Sequence, residues 1–227
     1  MRIAATPTTF LRAGLLGLTV LATASPAFAG PPLLCHPFDI GSARSLPWSG
    51  AASWYDRQAG YDIQRLVADT TAILTPAAPV LVRMETLRRA AIYAAGDPQV
   101  AKRLFLAFSS RIPADDTASP GHALALFDAG YLTETFREIN RLASYHSDAF
   151  AISADTLAAL VKDVDGYALV QKSLALRAGD PSIEFASALI ATSTAGRKGP
   201  YAQHAAKARA GAATDPLLGR NLGQISN

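Results

Sequence analysis

The chain has a single cysteine, Cys35, in 227 residues, so no disulfide can form within it and side-chain packing must hold the fold. Aromatic residues make up only 8% although hydrophobic residues reach 50%. The apolar surplus is mostly Ala and Leu, which favours helices packed closely through small side chains. Neither sign of charge dominates: 21 Lys and Arg stand against 18 Asp and Glu, and two of the basic residues, Arg2 and Arg12, precede Gly30. The remainder is close to neutral, which argues against a nucleic acid or an anionic membrane as partner. After Gly30 no apolar run approaches the roughly 20 residues of a bilayer span. HExxH, a glycine-flanked nucleophilic serine and a phosphate-cradling glycine loop are all missing, and with them the commonest signatures of metalloproteases, serine hydrolases and nucleotide-binding enzymes.

What is there begins with a three-part leader. Arg2 and Arg12 supply positive charge with no acid before Gly30, Ala13 to Ala22 form an apolar run, and Ala27-Phe28-Ala29 follows Ser25-Pro26. That order is the one a signal peptidase needs. Residues 1–29 are expected to be a cleaved signal peptide, the mature chain to begin at Gly30, and the protein to be periplasmic or secreted, without stable membrane insertion after cleavage. A lipid anchor on Cys35 is disfavoured, because Leu33-Leu34 precede it where a small residue is needed.

Residues 30–50 carry Pro31, Pro32, Pro37 and Pro47 among apolar Leu33, Leu34, Phe38, Ile40, Leu46 and Trp48. Proline forbids a helix interior, so this segment should be an extended strap lying on the body. From about residue 51 to 212 the pattern has the helical period, and residues 213–227 read as a loose tail. Gly96-Asp97-Pro98 and Gly179-Asp180-Pro181 repeat one corner: a glycine that ends a helix in the left-handed conformation, an aspartate that caps the next, and a proline at its first position. Gly130 is expected to make a weaker corner between helices over 122–129 and 132–142. An extra helix fits around 154–162, and Gly211 should close an alanine-rich hairpin. Val100, Leu104, Phe108 and Ile112 fall four apart on one face.

Ile92, Gly96, Ala101, Phe105 and Pro113 stand in the order and spacing of helix-packing positions in the tetratricopeptide repeat, and the first hairpin resembles that family. Arg88 and Arg89 occupy the place of its leucine–glycine pair, and Thr135 and Ile139 replace the small and aromatic positions after Gly130. The resemblance implies an all-α array of helical hairpins, tetratricopeptide-like or a related α-solenoid, that binds protein or peptide. It implies no catalytic residue and no cofactor.

Cys35-His36 is the one adjacent pair with reactive chemistry, since a neighbouring imidazole can lower a thiol pKa. Packing is the stronger reading of both residues, and a haem attachment would need a cysteine where Pro32 stands. His36, His122, His146 and His204 make no helical i, i+4 ligand pair, so no metal site is expected. Asp163-Val164-Asp165-Gly166 resembles part of a calcium loop, but Val161 and Lys172 occupy its first and last ligand positions; Gly166 is read as ending a helix. Asp115-Asp116 between two prolines reads as solvated loop charge. Arg83, Arg88, Arg89, Lys102 and Arg103 cluster about the first hairpin. Arg88, Arg89 and Arg103 are the candidate contacts for an acidic peptide, set against an ordinary solvated face with Glu85 and Arg89 as a surface pair. The function expected is a non-catalytic scaffold of the cell envelope; the alternatives are an envelope enzyme using Cys35 and His36, or a structural subunit of a larger assembly.

Overall fold

The computed structural model describes residues 31–114, 119–146, 149–193 and 198–225, together with Met1. Residues 2–30, over which a signal peptide and its cleavage site are expected, and Asp115-Asp116 lie outside the described residues. Within them the fold is all-α, an array of helical hairpins carrying an extended proline-rich N-terminal segment. The helices are α1 (Leu66–Ile73), α2 (Val80–Ala94), α3 (Pro98–Ser109), α4 (Pro120–Leu142), α5 (Ala154–Val161), α6 (Gly166–Leu176), α7 (Pro181–Ser193), α8 (Lys198–Gly211) and α9 (Pro216–Asn221). Extended pairing among the described residues is confined to an antiparallel bridge between Trp48 and Arg57.

One chemistry starts four of these helices. Asp97 accepts hydrogen bonds from the amides of Gln99 and Val100, Asp180 from those of Ser182 and Ile183, and Asp215 from those of Leu217 and Leu218. Ser119 does the same for His122, and each of the four is followed by a proline that needs no amide partner there. The repeated aspartate–proline corner is thus a general helix start, used more often than the two glycine-marked instances suggest.

The glycines divide differently from expectation. Gly179 takes the expected left-handed φ of +82°, but α6 has already ended at Leu176 with Arg177 as its cap, and the glycine sits in the turn closed by the Asp180 amide on the Arg177 carbonyl. Gly96 does not take that conformation: its φ is not positive. A Cβ there would sit 2.6 Å from the Arg57 guanidinium, the far end of a flexible side chain, and 3.3 Å from the Tyr93 carbonyl oxygen, so the position is tight without requiring glycine. Gly130 is no corner. It lies inside α4, a single helix of 23 residues, and Gly166 opens α6 where it was expected to terminate a helix. A Cβ on either glycine would come within 2.5 Å of the other's carbonyl oxygen. Glycine inside a helix costs about 1 kcal/mol relative to alanine; here it lets two backbones touch, and α4 with α6 forms one of the two most extensive helix contacts, α7 with α8 being the other.

Two further segments are tied down. The strap contributes Leu33, Leu34, Phe38, Ile40 and Leu46 to the same hydrophobic core as the helices. The segment expected to be a loose tail is ordered instead: α9 buries Leu218 and Asn221, and Ile225 is 4% exposed. The Asn221 side chain explains this, since it accepts from the Asp39 amide and donates to the Asp39 carbonyl, both at 2.9 Å. No described helix is long and apolar enough to cross a membrane.

Candidate functional site

Helix α2 crosses the centre of the fold and is buried on nearly every side. Its sequence nevertheless places Arg83, Glu85 and Arg88 there, at 1%, 0% and 0% exposure. Buried charges of this kind must be paired and fully hydrogen-bonded. Their partners are largely main-chain atoms of the strap and of the turns beside it.

Glu85 accepts the amide of Phe38 at 3.0 Å. The Arg88 fork grips the same carboxylate through Nε and Nη2, at 2.8 and 2.9 Å. Its Nη1 donates to the carbonyls of Leu34 and Trp54, both at 3.0 Å. Arg89 bonds Glu85 at 2.6 Å and the Leu46 carbonyl at 2.6 Å, while the Tyr93 hydroxyl donates to the Pro47 carbonyl at 2.8 Å. The Trp48 ring covers the two guanidinium groups at 5.1 and 5.8 Å. From α4, Glu138 accepts the Leu33 amide at 2.9 Å, and from α7 the Ser193 hydroxyl donates to that carboxylate. Phe185 of α7 meets Phe38 edge to face at 6.1 Å. Helices α2, α4 and α7 therefore form a groove that holds an irregular chain by its backbone, with turns where the Cys35 amide donates to the Pro31 carbonyl and the Ala43 amide to the Ile40 carbonyl, and with apolar side chains filling the floor.

The electrostatics vary along the groove. Burial alone would raise Glu85, but Arg88, then Arg89 and the Phe38 amide, outweigh it and hold the carboxyl below its usual range. Burial raises Glu138 to about 7, only partly opposed by the Ser193 hydroxyl, by Arg141 and by the Leu33 amide. Arg141 lies 3.8 Å away and is 46% exposed. The Tyr131 hydroxyl is buried without a hydrogen-bond partner, and burial, reinforced by Glu138 and Glu85, pushes it well above its ordinary value.

The residues singled out in the sequence are separated by the fold. Arg88 is not surface but core, because its donors are spent on Glu85 and on backbone carbonyls; the Glu85–Arg89 pair is likewise interior, with Glu85 at 0% and Arg89 at 19% side-chain exposure. Arg103 lies apart on the outside of α3, donating to Gln64 Oε1 at 2.7 Å. Cys35 sits half-buried in the strap. Burial first and then Glu138 push its thiol up to about 11, Arg88 opposing, the reverse of an activated nucleophile. Burial lowers the pKa of neighbouring His36. Asp165 caps α6 through the Ala168 amide at 2.9 Å, and no cluster of three or more metal-ligating side chains occurs among the described residues.

Two polar constellations escaped the sequence reading. Arg83 pairs with Asp128 of α4 at 2.6 Å and donates to the carbonyls of Leu74, Thr75 and Ala78; burial brings Asp128 up to about 6 despite Arg83. His204 of α8 contacts Glu184 of α7 through Nδ1 and the Tyr167 hydroxyl of α6 through Nε2, the latter at 2.9 Å. This is the geometry of an oriented base. With His204 7% exposed and Glu184 3%, it serves as a lock between three helices. The signal for the groove was present as polar residues inside apolar stripes: Leu81, Glu85, Arg88 and Ile92 share one face of α2, and Tyr131, Thr135, Glu138 and Leu142 one face of α4.

Compared with family models, curated proteins and solved structures, the chain matches none.

Proposed function

We propose that the protein is an exported, non-catalytic helical scaffold that binds an apolar, non-helical segment of a peptide or protein of the cell envelope in the groove between α2, α4 and α7. The observation that carries this reading is the way the strap is held. Between Leu33 and Pro47 its amides and carbonyls meet Glu138, Arg88, Glu85, Arg89 and Tyr93. Contacts to main chain suit a range of sequences, and selectivity then falls to the apolar positions, two adjacent leucines followed by an aromatic and an isoleucine. Prolines within such a ligand present no amide needing a partner. The leader with Arg2, Arg12 and Ala27-Phe28-Ala29 supports periplasmic or secreted placement. A thiol held at about 11 favours binding over catalysis at Cys35-His36.

The test unties the strap without removing it, so that added peptide in excess must displace it. A protease site is inserted between Ala51 and Ala52, both exposed, and the chain is cut there. A rhodamine-labelled peptide of residues 31–48 should then enter the groove, raising fluorescence anisotropy. The same peptide carrying Leu33→Asp and Leu34→Asp should bind at least about tenfold more weakly, since each buried leucine is worth roughly 1.5–3 kcal/mol. A cut protein that keeps its helical circular dichroism and takes up no peptide overturns the reading.

A further inference from the structure

The groove's ligand chemistry is written out by one sequence on the page, the strap itself. We infer that the groove is an exchange site for the strap of a second copy of this chain, so that two copies bind each other by swapping residues 31–48. This deepens the groove reading and rests on it.

Three features support a partner of this kind. First, residues 31–48 contain no α-helix of their own and owe their placement to contacts with the body, including Asp39 with Asn221 and Ser45 with Thr86 at 3.0 Å. An identical strap from a neighbour makes the same contacts with the same groove, so the exchange conserves them and costs only the entropy of association. Second, the connection to the body is a short exposed turn. Gly50 adopts φ +60°, its amide donates to the Asp56 carbonyl at 3.0 Å, and the Ala52 amide donates to the Asp56 side chain at 3.0 Å. Residues 49–52 are exposed, so straightening this turn breaks its solvent-facing hydrogen bonds and the Trp48–Arg57 bridge, and the neighbour's strap restores that bridge and the core contacts. Third, the chain returns onto itself beyond the turn, with Trp54 and Leu34 presenting their carbonyls to the same Arg88 nitrogen. The fold-back is tight, and shortening the turn denies a strap access to its own groove but not to a neighbour's.

The experiment has two arms on the full chain. In the first, residues 50–52 are deleted, and mass is measured by light scattering after size-exclusion chromatography. The expected result is a dimer whose strap resists protease as wild type does. In the second, two wild-type-turn populations carry Cys35→Ser and Ala43→Cys, labelled separately with donor and acceptor dyes; mixing should produce energy transfer that grows with concentration and disappears when Leu33→Asp and Leu34→Asp are added to both. A deletion variant that stays monomeric, with the labelled pair silent at high concentration, overturns the exchange. If the cut chain nevertheless captures free 31–48 peptide, the groove survives as a peptide site and only the second-copy partner is lost.

Discussion

Two buried carboxylates hold the strap, five residues apart along it, and they are supported differently. Glu85, beneath Phe38, lies against two arginines, one in a bidentate fork. Glu138, beneath Leu33, has a serine hydroxyl and a half-exposed arginine at 3.8 Å. Both are 0% exposed, so the difference is not depth. It is whether the desolvation of a charge is matched by a countercharge of fitting geometry, and their pKa values move in opposite directions accordingly. One end of the groove is built to stay charged; the other sits close to its titration point near neutral pH.

The largest effect should come from breaking the matched end. Arg88→Met removes the fork on Glu85 and the donor to the Leu34 and Trp54 carbonyls, leaving a buried carboxylate with only Arg89 beside it. Loss of one partner of a buried pair costs about 3–5 kcal/mol, a large part of a typical domain's stability. Urea denaturation should show that drop, and proteolysis should cut first within residues 31–48. The double variant Glu85→Gln with Arg88→Met should recover part of the loss, because the orphaned charge goes too. An Arg88→Met protein as stable as wild type would mean the charges contribute nothing to strap docking.

The next effect sharpens the contrast through pH. Glu138, raised from its ordinary 4.5 to about 7, binds a proton in the folded state that the unfolded chain has released between those values. Its contribution is fully present below about 4.5 and is lost as pH rises through 7. Asp128, raised to about 6, adds a slope of the same sign. Glu85, with its pKa lowered, acts oppositely: its stabilisation is present above the ordinary carboxylate range and is lost on acidification through its folded pKa. Wild type should therefore weaken between pH 5 and pH 8. Glu138→Gln keeps acceptor and size without the charge, and should remove on the order of 2–3 kcal/mol of that slope. Parallel pH–stability curves for the two proteins would refute the unmatched state of Glu138.

These charges also mark where the sequence stopped being informative. Helix class, the four-residue stripe through Val100, Leu104 and Phe108, and the capped starts at Asp97 and Asp180 are local patterns, and the structure contains them. Asp215-Pro216 carries the same start signal at α9, legible in principle but masked by the lack of a longer apolar period. Gly130 misled because a glycine's local meaning is a helix stop, whereas its role depends on Gly166 across the helix crossing. Arg88 misled for the same reason. An arginine four residues before an apolar position reads as a surface residue, and only contact with Leu34, 54 residues away, places it inside. The basic cluster was visible; what it faces was not.

The smallest effect belongs to the third arginine of that cluster. Arg103 is exposed on α3, beside the half-exposed Leu106, and donates a hydrogen bond to the exposed Gln64 side chain. Water already solvates its charge, so Arg103→Glu leaves no buried group unpaired and changes only a screened surface interaction, worth about 0.5 kcal/mol or less. Melting should stay within a degree or two of wild type, and the cut chain should capture the 31–48 peptide with unchanged affinity. Arg88 and Arg103 have the same side chain within one short stretch of sequence, so the contrast between their variants isolates what surrounds each guanidinium. If Arg103→Glu weakens peptide capture as much as Arg88→Met does, the ligand lies along the outer face of α3, and the groove beneath the strap is only core.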